Sequence, residues 1–236
     1  MSAGDKRSRA GVTDQAAFFA ALAKERRSVR GFLPTPVPQS LLEEVFTVAQ
    51  LAPSNCNAQP WIVHVVSGEA AERLRSGLYD AARTGGAPAG DFAMTGSYPD
   101  EYRARQIGSA KALFGAQGIA RDDVEGRKRS FLRNFRFFDA PHAAFVFLDE
   151  RFGIREAADC GMFAQTLMLA LAANGLASCA QTALSFNPSL VRDLLGIPSG
   201  HKLLFGLAFG YEDPAHPANA ARTDRAALSE AVTFHR

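Results

Sequence analysis

The residues best suited to chemistry lie in two basic segments and one polar loop. Arg26-Arg27-Ser28-Val29-Arg30 follows a helix-like stretch, and Arg222-Thr223-Asp224-Arg225 lies in the C-terminal tail. Guanidinium groups bind a phosphate ester through planar, often bidentate hydrogen bonds, so arginines drawn from separate segments make a cradle for it. Arg26 and Ser28 at one end, with Arg222 and Arg225 at the other, are the candidates. Taken alone, these arginines also read as solvated charges at a helix end and in a tail. The loop Pro53-Ser54-Asn55-Cys56-Asn57 offers a rigid proline, backbone groups and amide side chains. These can pair with the hydrogen-bonding edge of a ring or close a simple polar turn.

Other chemistries lose ground. The sequence contains no Walker loop, no GxGxxG after a strand, no GxSxG elbow and no HExxH. His64, His142, His201, His216 and His235 are scattered singly, and Cys56, Cys160 and Cys179 form no CxxC pair, so neither a metal site nor a disulfide framework is expected. The net charge is +2, with 26 basic and 24 acidic residues interspersed, which points to no nucleic-acid partner and no anionic membrane. Met1 to Arg9 lacks a secretory pattern, and the apolar window Cys160 to Ala180 is broken by Gln165, Asn174 and Gly175. A cytoplasmic protein in a reducing compartment is expected.

These residues need a scaffold, and at 236 residues and 47% hydrophobic content the chain can build one sizeable core. We read a disordered leader over 1–12 and a single domain over 13–236, with a helical lid excursion at about 84–136 and an extended tail at 211–236. Thr13 is placed to cap a helix from about Asp14 to Arg26, with Phe18, Ala21, Leu22 and Glu25 at helical spacing. Pro38 starts a second helix in which Leu41, Leu42, Val45, Val48, Ala49 and Ala52 share a face, and Pro53 stops it. Trp61 to Val66 reads as a strand buried on both faces, followed by a helix from Glu69 to about Arg83.

After the Arg-rich excursion, Ala143 to Leu148 reads as a second buried strand. Ile154 to Ala173 is a long helix apolar on most sides, which requires burial all round, as at a subunit interface, and Asn174-Gly175 ends it. Asn187 and Pro188 supply an N-cap and a first helical position for a short helix ending at Gly196, and Lys202 to Phe209 is a last buried strand. The connections are too uneven for a doubly wound sheet, so the class is α+β.

The basic turn with Phe32, read together with Ala52-Pro53-Ser54-Asn55-Cys56-Asn57-Ala58-Gln59-Pro60-Trp61, resembles the nitroreductase family. The resemblance continues through the strand after Trp61, the helix carrying Gln165, the Gly175 to Cys179 segment, the Gly206 to Gly210 strand and the Arg222 to Arg225 tail. It implies a nitroreductase-like fold: a central, mostly antiparallel sheet flanked by helices, in an intertwined homodimer that exchanges C-terminal tails. It also implies FMN as cofactor, with NADPH or NADH as co-substrate. Hydride would pass through flavin N5 to a small electrophilic acceptor, a nitroaromatic or quinone, in a ping-pong cycle. Relatives performing reductive dehalogenation, enoate reduction or flavin breakdown, or binding flavin without catalysis, are the alternatives.

Carried onto this sequence, the resemblance assigns the phosphate to Arg26 and Ser28, with Arg27 between them, and to Arg222 and Arg225. Arg30 approaches the ring as an electrostatic stabiliser, with Arg136 as second choice. Pro53, Ser54, Asn55 and Asn57 meet the pyrimidine edge from the opposite subunit. Ala183 and Leu184, by position, offer a backbone N–H to N5, and Gln165 faces the site or satisfies a buried backbone group. No side chain is an obligatory acid or base, because the cofactor carries hydride chemistry. The aromatic residues of the excursion, among them Phe92, Tyr98, Tyr102 and Phe131, form a roof over the flavin or a surface hairpin.

Overall fold

An unbroken apolar run with no polar alternation belongs in a strand that has a neighbour on each side and a layer on each face. His142–Asp149 is such a run, and residues 142–148 are all buried. In the computed structural model, which describes residues 9–85, 89–93 and 96–236, it forms β2 at the centre of a four-stranded sheet. The other strands are β1 (Trp61–Ser67), β3 (Ala177–Gln181) and β4 (His201–Gly210), in the order β1-β2-β4-β3. Every pairing is antiparallel, with Trp61 opposite Leu148, Ala143 opposite Ala208 and Cys179 also opposite Ala208.

Period-two alternation sends the side chains of β2 to two cores. Phe145 and Phe147 join Leu74 and Leu78 of α3 (Gly68–Arg83), Val191 of α7 (Pro188–Leu195), and Phe135, Phe137 and Phe138. Ala144, Val146 and Leu148 join Leu42 and Val45 of α2 (Gln39–Ala49) and Phe163, Leu167 and Leu171 of α6 (Ile154–Ala173). Trp61 stacks on Phe163 at 5.1 Å between ring centroids. The α+β class is therefore the observed one. Pro188 opens α7, although Asn187 makes no side-chain capping bond, and Gly196 closes it in the left-handed conformation at φ 65°.

Several expectations need correction. β1 is the sheet edge, and Val65 is 41% exposed rather than buried, so the packed layers do not cover both faces of β1 along its whole length. β3 is a strand that its small, mixed residues do not predict, and it forms by pairing along β4. The first helix, α1 (Arg9–Glu25), begins before Thr13, so Thr13 sits inside it and residues 9–12 are helical rather than leader. Residues 1–8 of that leader, and 86–88 and 94–95 of the excursion, lie outside the described residues. α6 is not buried all round within one chain: Ile154, Met162 and Gln165 are exposed. The excursion contains α4 (Asp100–Ala116) and α5 (Val124–Leu132), then a 3-10 segment, Arg133–Asp139.

His142 fastens α2 to the sheet. Its Nε2 accepts from the Val37 N–H at 2.9 Å, so the neutral ring carries its proton on Nδ1, 2.5 Å from Ser67 Oγ. Burial lowers its pKa. An imidazole held neutral contributes fully above its ordinary value of about 6.5 and loses that contribution as pH falls through it toward the lowered native value. Urea midpoints should therefore drop between neutral and mildly acidic pH, and His142→Gln should flatten part of that slope; an unchanged slope would remove His142 from the account.

Candidate functional site

The basic turn is built as a short extension of the sheet. Ser28 bridges Ser178 in the parallel sense, and the Val29 N–H donates to the Ser178 carbonyl at 3.1 Å. Val29 and Phe32 are buried in the core beside α3, so Ser28 and Arg30, one residue either side of Val29, are turned away from it. Burial pushes the Cys179 thiol up, while Arg30, Ser28 and Arg26 beside it work in the opposite direction. Such a thiol is a poor nucleophile at neutral pH.

The C-terminal tail folds back onto this turn. Asn219, almost fully buried, accepts from the Arg30 N–H at 2.7 Å through Oδ1. Its Nδ2 donates to the carbonyls of Gly31 at 2.8 Å and Asp213 at 2.9 Å. The Asp213 N–H donates to Gly31 as well, at 3.0 Å. Position 31 has no room for a side chain, since an added Cβ would lie 2.4 Å from Cβ of His216. Arg222 Nη1 in turn donates to the Asn219 carbonyl at 2.7 Å. Asn219 thus organises both arms of the cradle, and the sequence alone does not single it out.

Between the turn, the tail and α4 opens a cleft of about 950 Å³. It is lined by Arg26, Arg27, Ser28 and Arg30 from the turn, by Arg222 and Arg225 from the tail, and by Ser109 and Leu113 from α4. Six of the described lining residues are cationic against two acids, Glu25 and Glu212, and Glu212 pairs with Arg27. Burial and then the charge of Arg225 lower the pKa of Arg26. Guanidinium groups crowded this way gain from a shared anion.

The remaining candidates lie elsewhere. In the loop after α2, Ser54 Oγ accepts from the Gln59 N–H at 2.9 Å, and the Asn55 N–H donates to Asp159 of α6 at 3.1 Å. Cys56, Asn57 and Gln59 sit at φ near 50°, so the loop is a fixed object, yet Pro53, Ser54, Asn55 and Asn57 do not line this chain's own cleft. Asp159, buried beneath the loop, is a second positioning residue without a sequence signal. Arg136 is exposed, pairs with Asp139 and lies over Tyr79, outside the cleft. Gln165 is on an exposed face of α6. Ala183 and Leu184 fall in a 3-10 turn, Thr182–Ser185, directly after β3, where Leu184 packs over Gly206.

The nitroreductase family model matches residues 23–211. The chain belongs to the nitroreductase family. It is 41% identical over 215 residues to nitroreductase NfnB of Mycolicibacterium smegmatis, covering 91% of this chain and 92% of that one. It is 34% identical over 221 residues to the chloronitrobenzene nitroreductase of Comamonas testosteroni, covering 92% and 96%. The solved structure of the FMN-dependent nitroreductase NfnB from Mycobacterium smegmatis in complex with NADPH superposes with a TM-score of 0.90 at 41% identity, covering 94% of this chain and 100% of that one. Among the described residues of this nitroreductase-family chain, no helix is long and apolar enough to cross a membrane.

Proposed function

We propose that this chain is an FMN-dependent oxidoreductase that takes hydride from NADPH or NADH and delivers it to nitroaromatic or quinone-type acceptors in alternating half-reactions. The observation that carries the reading is the convergence of Arg26, Ser28, Arg30, Arg222 and Arg225 on one cleft from segments nearly two hundred positions apart. A hydroxyl among guanidinium groups fits a phosphate dianion. Bound there, FMN supplies the centre that accepts and donates hydride.

The chain's own residues bind, orient and tune. Arg26, Ser28, Arg222 and Arg225 hold the phosphate, with Arg27 kept in place by Glu212. Arg30 stands by the ring edge that gains negative charge on reduction, and Ala183 or Leu184 presents a backbone N–H toward N5. Arg136 has no part in this reading. The loop Pro53 to Asn57 serves the flavin of a second copy: it is held by hydrogen bonds to Ser54 and Asp159 yet does not line its own cleft. Phe18 and Phe19 on α1, Leu51, Ile154, Leu228 and Phe234 are largely exposed, which supports an intertwined homodimer with exchanged tails and with Gln165 on the shared face. We place this enzyme in the cytoplasm.

The purified protein should be yellow, with a flavin spectrum that NADPH or NADH bleaches under anaerobic conditions; protein that neither carries nor takes up FMN would overturn the reading. Sedimentation should give a dimer, and a monomer at micromolar concentration would remove the lent loop. Arg30→Gln should lower the two-electron potential by roughly 30–60 mV, the equivalent of about 1.5–3 kcal/mol for a charge-assisted contact. A dye-coupled reductive titration checks this, and an unmoved potential would take Arg30 away from the ring.

A further inference from the structure

Arg30 owes its place to its backbone. Its guanidinium makes one hydrogen bond among the described residues, from Nη1 to the Ser28 carbonyl at 3.3 Å, so where the charge stands depends on the two peptides flanking its Cα. Each is held by a side chain from far along the sequence. The Arg30 N–H donates to Asn219 of the tail at 2.7 Å, and the Arg30 carbonyl accepts from Arg133 Nη1 at 2.8 Å. Arg133 directly follows α5, so the helical excursion ends on the same residue that the tail reaches from the other side.

Arg133 is itself fixed from several directions. Beyond its bond to Arg30, Nη2 donates to Asp139 Oδ2 at 3.0 Å and the guanidinium lies over the Phe138 ring at 5.8 Å. These partners are presented by a backbone that side chains seldom adopt: Phe137, Phe138 and Asp139 follow one another at φ 57°, 53° and 68°. Consecutive left-handed residues other than glycine persist only where the surroundings over-determine them. Here Arg75 of α3 supplies the constraint, donating from Nε to the Arg136 carbonyl at 3.2 Å and from Nη2 to the Ala140 carbonyl at 2.8 Å, with its guanidinium over Phe137. Such a run costs stability, and what it secures is the orientation of one arginine that lines neither the cleft nor the smaller cavity beside it.

We infer that Arg133 is a positioning residue for the flavin's redox chemistry: through the Arg30 carbonyl it sets the distance between the Arg30 charge and the ring edge, and so the potential. The inference rests on the FMN reading above and adds a residue that acts at one remove. Coulomb attraction falls inversely with separation, so a cation that drifts outward stabilises the reduced ring less. Arg133→Lys keeps the charge and loses the planar fork that serves the Arg30 carbonyl and Asp139 together. At a fixed dye potential it should leave roughly threefold to tenfold less reduced flavin per oxidised flavin, a downward shift of about 15–30 mV for two electrons. In an Arg30→Gln background the same change should move that ratio by less than about twofold, because the group being positioned is gone.

Arg133→Met has no donor to offer the carbonyl and serves if Arg133→Lys keeps the bond. It should shift the ratio more in the wild-type background than in the Arg30→Gln one, and thermal transitions identify any variant that does not fold. Equal shifts in the two backgrounds would mean that Arg133 acts by its own charge or by packing. An unmoved ratio for both variants in the wild-type background would mean that the bond sets nothing. Either result overturns the positioning role alone. An Arg30→Gln potential equal to the wild type's would overturn it by taking Arg30 away from the ring, and wild-type protein that binds no FMN would overturn the FMN reading with it.

Discussion

Replacing Arg26 and Arg222 together with alanine should strip FMN from the protein, raising its Kd by roughly 10²- to 10⁴-fold if each charge-assisted contact is worth about 1.5–3 kcal/mol. The two arginines come from opposite ends of the chain and meet only at the cleft, so a loss larger than either single change is expected. Arg26 is already disfavoured by burial and by Arg225, so its removal relieves repulsion in the apoprotein. The double variant should therefore fold. Flavin fluorescence after equilibrium dialysis reads the result, and full occupancy would remove the phosphate from this cradle.

The second large effect concerns the scaffold. Asp91→Ala should cost about 3–5 kcal/mol of unfolding free energy, because breaking one side of a buried ion pair strands the other charge. Asp91 Oδ2 accepts from Arg192 Nη1 at 2.5 Å and from the Leu203 N–H at 2.8 Å, and Oδ1 accepts from Arg192 Nη2 at 3.2 Å. The side chains are only 12% and 9% exposed. Arg192 Nη1 also donates to the His201 carbonyl, so one pair joins the excursion, α7 and the start of β4. Urea unfolding measures the loss. Asp91→Leu with Arg192→Leu should recover part of it, since apolar replacement of both partners leaves no stranded charge. A single-variant loss below about 1 kcal/mol would show that water reaches the pair.

What the sequence reveals of this fold follows from the range over which each signal acts. Phe145 and Val146 announce a central strand because their local run is apolar throughout. Ala177-Ser178-Cys179-Ala180-Gln181 announces nothing: small, mixed residues carry neither alternation nor β-branching, and their strand exists because β4 and the basic turn lie on either side. That β1 is an edge is a property of strand order, which no residue of β1 encodes. The arginines of the cradle are legible because their chemistry is rare and directional, whatever their partners. Asn219 and Asp159 are ordinary polar residues whose meaning lies in contacts far along the chain, such as Arg30 to Asn219 or Asn55 to Asp159. The loop Pro53 to Asn57 is recognised by its residues, but its absence from this chain's own cleft appears only in three dimensions.

The group that accepts from the Arg30 N–H, and two of the arginines that line the cleft, come after the last strand. Asp213, His216, Asn219, Arg222 and Arg225 form an arm that contributes no strand to the sheet. Ala227 to Arg236 are exposed. A protease that nicked this arm during storage would leave both cores untouched. Such a preparation would keep its circular dichroism, melt at a lower temperature for want of bound flavin, and have turned colourless.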